Sequence, residues 1–559
     1  MNPETSDHSP SPAKDRLLAG ALFCAVLALF AVSYLRFFWG GQTFEFCSYA
    51  EIGSNILHGR GFATSSFVPS ELAYLDAAGV PVAQTGPVLT RFPLFALWSA
   101  FWLALGGGRD FGMALGNGMA HALWVVVLFL AGRRIFGRRT AFIAAALWGL
   151  APSMLAGFDL FGHPDVLFGA LLAWLNLLIW RSPEPQRPLG GYVSLGLLAG
   201  ACYLARHSFG IWLPFYVGLF WWRARPRLRP AAAFLGGFAA LAVPWTLYYW
   251  SRTGRAFSPL FLWNLAEGTL VRGLPWMEYR TYAWPDFFHW EAAGQLCKKA
   301  VSLFNFQLGD LATFWTMPLA FPLAAAGLAT AAGASAALGG WLILLLGWQM
   351  VVFSFLRTET LAWATGRYYL WLAPFVLFYA VDFLDRRRES RAWRWGALAL
   401  AALLLQSWAF TYFAVPRSPD HPSGRPISEW PELAYLRERT EPTAWVATNI
   451  PSQVSWYAGR RAFNIPNHPA QLALMERLHP ADYLLLGDYR IGEPFNFPEW
   501  VDVFQGRSGL PAQEAFAQMG FAVEQNFPGA VLLRKTRDAA ARPTSAPAPR
   551  RPRAPDLAR

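Results

Sequence analysis

FPLFALWSAFWLAL, residues 92–105, is apolar enough for lipid but short for a crossing. A spanning helix takes about 20 mainly apolar residues. This run falls short of that, and Pro93 at its second position suits the opening turn of a helix. Counted as a span, it reverses the side of everything downstream. Laid flat as a juxtamembrane helix, it lets the basic residues sort by side. Longer apolar candidates lie near 17–38, 111–132, 140–157, 164–180, 190–205, 208–222, 231–250, 312–332, 337–356, 368–384 and 395–415. With 92–105 flat, Arg133, Arg134, Arg138 and Arg139 fall on one side, joined by Arg181, Arg187, Arg223, Arg225, Arg227 and Arg229. The run Arg386, Arg387, Arg388, Arg391 and Arg394 lands there too. Lys and Arg accumulate on the cytoplasmic side, so the charge decides for about eleven spans, N-terminus inside and C-terminus outside.

The totals agree with lipid as the main solvent. Only 15% of the 559 residues are charged, against about a quarter in soluble domains. The net charge of +12 comes mostly from Arg in short runs between apolar segments. That is topology, not a nucleic-acid surface, and no nucleic acid is expected as a partner. The run Leu17–Phe38 is too long for a signal-peptide core and is expected to remain as the first span. None of the four cysteines stands in a CxxC or CxxH spacing, which argues against structural zinc. Cys24 and Cys202 lie in apolar runs as packing residues. Cys47 and Cys297 fall in outer loops, where a disulfide between them stays open.

The expected organisation is a short cytoplasmic N-terminus (1–16), then a transmembrane domain over 17–415 with outer loops at 39–110 and 251–311. A small α/β domain outside the membrane follows over 416–535, and a disordered tail over 536–559. In that domain, β-type runs at Ala444–Asn449, Tyr483–Leu486 and Ala530–Arg534 alternate with helical patterns at Pro431–Arg439 and Pro469–Leu478. The tail is Ala, Pro and Arg with almost no apolar content. The chain shows no internal repeat of the kind many secondary transporters carry.

After the first span comes TFEFCSYAEIGSNILHGRGFATS, residues 43–65. Its apolar spacing makes an amphipathic helix that Gly59 and Gly61 end. Glu45 sits at the start, where the helix dipole favours a carboxylate; Glu51 is the nearest rival acid. Arg91 precedes Pro93. Asp165 follows Pro164 at a helix entry to which His163 also belongs. Arg206 and His207 occupy a short turn between two spans. Lys298 and Lys299, in the second loop, are expected to meet lipid headgroups.

These pieces, in order, resemble the GT-C superfamily of integral-membrane glycosyltransferases, in particular the protein O-mannosyltransferase and aminoarabinose-lipid A transferase group. The likeness runs from about residue 17 to about 380. It is carried by Glu45, Tyr49, Ile52, Asn55, Gly59 and Gly61, then by Arg91, Pro93 and Leu94, then by GRRIFGRR at 132–139. It continues through His-Pro-Asp at 163–165, GLLAGACYLARHS at 196–208, VPW at 243–245 and GRYYLWLAPF at 366–375. The resemblance implies a helical membrane fold and a sugar donor carried on polyprenyl phosphate. By that likeness Glu45 matches the catalytic acidic position, where the family usually has Asp, and Asp165 the second acidic position. Arg91 and Arg367 match the phosphate-binding cations. Apart from the likeness, Arg206 and His207, in the outer turn bordering the expected cavity, and Tyr368 are expected substrate contacts.

An inverting transfer needs one carboxylate to take the acceptor's proton, and a cation to steady the departing phosphate. The expected function is transfer of a sugar to a glycan, lipid or protein acceptor at the periplasmic face of a bacterial inner membrane. No cofactor is demanded, and Glu45 with Asp165 admits a divalent metal ion. The alternative is a transporter or flippase of lipid-linked sugars, which would place ionisable groups near mid-bilayer.

Overall fold

The computed structural model of the chain describes residues 12–180, 188–223, 228–271, 273–313, 320–356, 362–414, 424–487, 500 and 511–536. Arg181, Arg187, Arg225, Arg227 and the tail from 537 onward lie outside the described residues. Five described helices are individually long and apolar enough to cross a membrane: Pro12–Phe37 (α1), Asp110–Phe136, Leu228–Thr253, Gly333–Leu356 and Arg367–Asp385. Between the first two lie α2 (Phe44–Leu57), α3 (Pro69–Ala77) and α4 (Pro93–Leu105), so Asp110–Phe136 is α5. Next come α6 (Arg138–Gly149), α7 (Asp165–Trp180), α8 (Leu189–Ala205), α9 (Leu213–Arg223) and α10 (Leu228–Thr253).

Several expected spans are shorter or broken. The run 140–157 stops at Gly149, and a π-helical turn, Met154–Phe158, follows Pro152, whose ring nitrogen cannot continue the ladder. The run 208–222 opens with a 3-10 turn, His207–Ile211, before α9 begins. Of the run 312–332, residues 314–319 lie outside the described residues, and the described part falls in the helices Trp290–Thr313 and Ala320–Ala329. Short helices of this kind persist because the bundle buries their polar ends.

Small residues set the tightest crossing. A Cβ on Gly196 of α8 would sit 2.0 Å from the Phe234 carbonyl oxygen, and one on Gly237 of α10 2.3 Å from that of Val193. The two backbones therefore touch directly, as small residues allow in membranes. At one end of the bundle, Asp15 of α1 pairs with Arg133 and with Arg138 (2.9 Å), and Asp385 pairs with Arg139 (3.3 Å). The site described below lies past the other end of α1.

The described C-terminal residues build a six-stranded sheet that takes its edge from the first loop. Its strands are β2 (Ser66–Phe67), β4 (Trp445–Thr448), β5 (Arg461–Asn464), β6 (Tyr483–Gly487), β7 (Phe521–Phe527) and β8 (Ala530–Lys535), in the order β2-β5-β4-β6-β8-β7. A short ladder, β1 (Ala63–Thr64) with β3 (Gly86–Pro87), stands apart. β2 pairs parallel with β5, Ser66 opposite Ala462. β4 lies between β5 and β6, parallel to both, and β7–β8 is an antiparallel pair. The small α/β region is thus present, with a helix at Pro431–Arg439 as its sequence pattern indicates.

Tyr457 ties this region to the membrane helices. Its hydroxyl accepts the Gly41 N–H (2.5 Å) and donates to Asp110 (2.7 Å), while the Trp456 indole N–H donates to the other Asp110 oxygen (2.7 Å).

All four cysteines are free. Cys47 is buried with its thiol donating to the Gly41 carbonyl (3.2 Å), while Cys297 is exposed, so the disulfide left open by the sequence does not form. Cys24 is exposed on the outside of α1, and only Cys202 packs inward as expected of both.

Candidate active site

Thr43 caps α2: its hydroxyl accepts the Phe46 N–H at 3.0 Å. The carboxylate of Glu45, in the first turn, is thereby aimed at two segments distant in sequence. One Glu45 oxygen accepts from Arg367 (2.8 Å) and from the Nδ1 of His163 (2.7 Å). Pro164 immediately precedes α7, whose first residue, Asp165, pairs with Arg206 from the end of α8. The Tyr368 ring lies 4.7 Å from the Arg206 guanidinium carbon and 5.3 Å from that of Arg367. Both guanidiniums are largely withdrawn from solvent, with side chains 12% exposed.

Asp165, Arg206 and Arg367 border a cavity of about 270 Å³, counted with its open mouth, and Glu45 stands on Arg367 outside the lining. Asp165, Arg206, Ser208, Gln349, Arg367 and Tyr368 form its polar lining, and Phe168, Trp212, Phe353 and Trp371 its apolar wall. Burial pushes the Glu45 carboxyl upward, but the Arg367 guanidinium, then His163 and Arg91, outweigh it and hold the group well below its ordinary 4.5. Burial lowers His163 below its ordinary 6.5, with Glu45 pulling the other way. The imidazole is therefore neutral at pH 7, and its short contact to a carboxylate places its proton on Nδ1. The 3.3 Å approach of Arg367 to that same nitrogen is then a contact without a hydrogen bond.

The remaining expectations divide. Arg91 forms no hydrogen bond or ion pair among the described residues. Its guanidinium lies over the rings of Phe44 (5.1 Å) and Tyr49 (5.6 Å), and it reaches Glu45 only through the field. His207 stacks on Phe92 at 5.0 Å, outside the cavity lining, and burial together with Arg206 lowers it to about 4. Lys299 is buried and donates to the carbonyls of Asn264 (2.5 Å) and Glu267 (2.6 Å), a structural role and not a headgroup contact. Glu51 accepts hydrogen bonds from Thr64 and Ser65, apart from Arg367 and His163. Sequence reasoning left His163 as part of a helix entry and passed over Thr43. The signal for His163 was available, since it stands two residues before Asp165.

Glu45, His163 and Asp165 each offer a ligand atom, all within 4.8 Å of one another. The donor types suit a divalent ion, and the second Asp165 oxygen is buried with no partner among the described residues.

Residues 89–250 match the family described as dolichyl-phosphate-mannose-protein mannosyltransferase. That stretch holds Arg91, His163, Asp165 and Arg206; Glu45 and Arg367 lie outside it. Among solved structures, the chain is similar to ArnT from Cupriavidus metallidurans bound to undecaprenyl phosphate. The two share 15% identity at a TM-score of 0.57, over 93% of this chain and 98% of that one. It is also similar to the Archaeoglobus fulgidus oligosaccharyltransferase in complex with zinc and sulfate. Here the identity is 12% and the TM-score 0.51, over 90% of this chain and 72% of the other. No curated protein matches the chain. The chain has the fold of the GT-C membrane glycosyltransferases.

Proposed function

We propose that the chain is a membrane glycosyltransferase that moves a sugar from a polyprenyl-phosphate donor to an acceptor hydroxyl of a glycan, lipid or protein. One observation carries this reading: two guanidiniums largely withdrawn from solvent border a single cavity, and a carboxylate with a neutral imidazole stands beside them. Such cations suit a lipid phosphate leaving group. Glu45 takes the proton of the acceptor hydroxyl as its oxygen bonds the anomeric carbon. The bond from that carbon to the phosphate oxygen breaks, and its electron pair leaves with the phosphate toward Arg206 and Arg367. His163 holds the carboxylate in line, and attack opposite the leaving group inverts the anomeric centre.

A carboxylate clamped by a guanidinium is a weak base. Donor phosphate competes for Arg367, and as that cation turns to the phosphate Glu45 regains basicity. The resting ion pair thus keeps the base quiet until donor arrives. A divalent ion held by Glu45, His163 and Asp165 would neutralise phosphate oxygens in the same place. The division into a transmembrane domain, 17–415, and a tail domain, 416–535, is part of the proposal.

The side of the membrane follows from charge. α1 has 26 residues, about 39 Å of helix at ~1.5 Å per residue. Asp15, with Arg133 and Arg138, stands near its start, and Glu45 follows its end. Positive-inside bias assigns the arginine end to the cytoplasm and the site to the periplasmic face.

The rival reading, a transporter, draws on the His121–Asp159 pair (2.9 Å), whose side chains are wholly buried in the bundle. However, Asn117, one helical turn away, reaches the His163 carbonyl (3.4 Å), so the pair adjoins the site. Purified protein in lipid, given polyprenyl-phosphate sugars, is expected to release polyprenyl phosphate, and Glu45→Gln to release almost none. Equal turnover by both removes Glu45 as base. Movement of the intact donor between leaflets without its cleavage favours transport.

A further inference from the structure

Glu45 and His163 are separated by 118 positions in the chain, yet the proposed base needs them aligned. Thr43 touches both segments. Its hydroxyl oxygen accepts from Phe46 N–H inside the helix that carries Glu45, and its O–H donates to the Phe161 carbonyl at 2.8 Å. A hydroxyl suits the post, since it accepts and donates at one atom. Next to Phe161, Gly162 adopts a left-handed φ of 67°, and a Cβ there would lie 2.6 Å from the Phe46 ring. The chain can therefore lie flat against α2 only at a glycine.

The far side of this segment is held as well. From α5, the Asn117 amide donates to the carbonyls of Phe158 (3.2 Å) and His163 (3.4 Å). His121, one turn on, bonds Asp159 (2.9 Å). Residues 158–163 are thus gripped by α5 on one side and by Thr43 on the other.

We infer that Thr43 is a positioning residue: its hydroxyl couples the helix carrying Glu45 to the segment carrying His163 and sets the alignment of the pair. The inference rests on the glycosyl-transfer reading. Displacements of about 1 Å cost roughly a hundredfold in rate, which sets the scale of the effect.

The bland alternative is that Thr43 only caps a helix, and three substitutions separate the two. Thr43→Val loses both bonds. Thr43→Asp keeps the cap, because a carboxylate accepts, but cannot donate to Phe161. Thr43→Ser keeps both. In the lipid-reconstituted protein, kcat is expected to fall about ten- to a hundredfold in Val and Asp, with the donor KM nearly unmoved, and Ser recovers most of the loss. The Asp variant should melt close to wild type, as a capped helix does. If Asp turns over like wild type, the cap alone matters and the inference falls.

A second measurement needs no turnover. Thermal unfolding of Thr43→Val, His163→Gln and the double variant should give non-additive shifts, and additive shifts overturn the coupling. Non-additive shifts in a protein that releases no polyprenyl phosphate would leave the coupling intact and sink the glycosyl-transfer reading instead.

Discussion

Two glutamates on α2 stand six residues apart and meet opposite fates. Glu45 faces charges: Arg367 and His163 bond it, and Arg91 acts through space. Glu51 faces dipoles. It accepts from Thr64 (2.7 Å), from the Ser65 N–H (2.5 Å) and hydroxyl (2.6 Å), and weakly from Asn55 (3.5 Å). Six residues at about 3.6 per turn put them on different faces. One face meets the membrane bundle, the other the first loop at Thr64 and Ser65, where Ser65 also meets Ser455 (2.6 Å) of the helical turn Val454–Ala458. Burial pushes both carboxyls up. At Glu51 burial wins over the neutral donors, and the group sits above its ordinary value; at Glu45 the cations win, and it sits well below. Burial alone therefore does not identify a base. The distinguishing feature is a partner that an anionic ligand can take away, which a guanidinium is and a backbone N–H is not.

The largest effect should come from removing the base. Glu45→Gln is expected to lower kcat by about 10²–10⁴, read as polyprenyl phosphate released per unit time. A loss below tenfold would end the contrast between the two acids. Removing the phosphate cation comes next: Arg367→Gln should cost roughly 10²–10³ in kcat and raise the donor KM, since the residue serves both ground state and transition state. If KM alone rises, Arg367 merely binds.

The pH profile sharpens the comparison further. With Glu45 held below 4.5, the acid limb of kcat/KM, which reports free enzyme, should lie below pH 4.5. The limb of kcat should lie higher, because bound donor draws Arg367 away. Coincident limbs would argue against partner exchange.

The stability terms have opposite signs. Glu45, depressed on folding, contributes stability that is present above its unfolded value and lost as pH falls through the folded one. Glu51, raised on folding, contributes below its unfolded value and loses that contribution as pH rises through the folded one. Melting curves of the two Gln variants against pH read this difference directly.

Smaller effects belong to the C-terminal side. Glu51→Gln should leave turnover within about threefold and cost less stability at neutral pH, where it removes a charge that burial disfavours, than in acid. A hundredfold loss of turnover would make Glu51 the base after all. Tyr457→Phe removes the bonds to Gly41 and Asp110, at roughly 1 kcal/mol each, and a fall in melting temperature of a few degrees should register it.

Much of the site was legible because its residues sit at helix ends, where motifs leave marks. Glu45 opens α2, Asp165 opens α7 behind a proline, and Arg206 closes α8. Their types suggested acid, acid and cation, and the structure brings Glu45 and Asp165 each onto a guanidinium. The sequence did not reveal that His163 turns to Glu45, that Arg91 stacks on rings, or that His207 withdraws against Phe92. Each outcome depends on a contact made by a residue far away in the chain, and helical periodicity carries no record of such contacts. Cys47 shows the same gap, since loop membership said nothing of its burial beneath Gly41.

The chain by itself determined a helical membrane body and the segregation of arginine to one side. Lipid cannot satisfy a backbone polar group or a stray charge, so both must be written as long apolar runs with basic edges. It also marked a separate α/β region, because short strand patterns and polar helices break that code. Only the tertiary structure decided which carboxylate of α2 meets a guanidinium. Glu45 lies 322 positions from Arg367, and β2 of the first loop is completed by β5 almost 400 residues later. Electrostatic partnership acts over a few ångströms of space, and the fold alone sets which residues come that close.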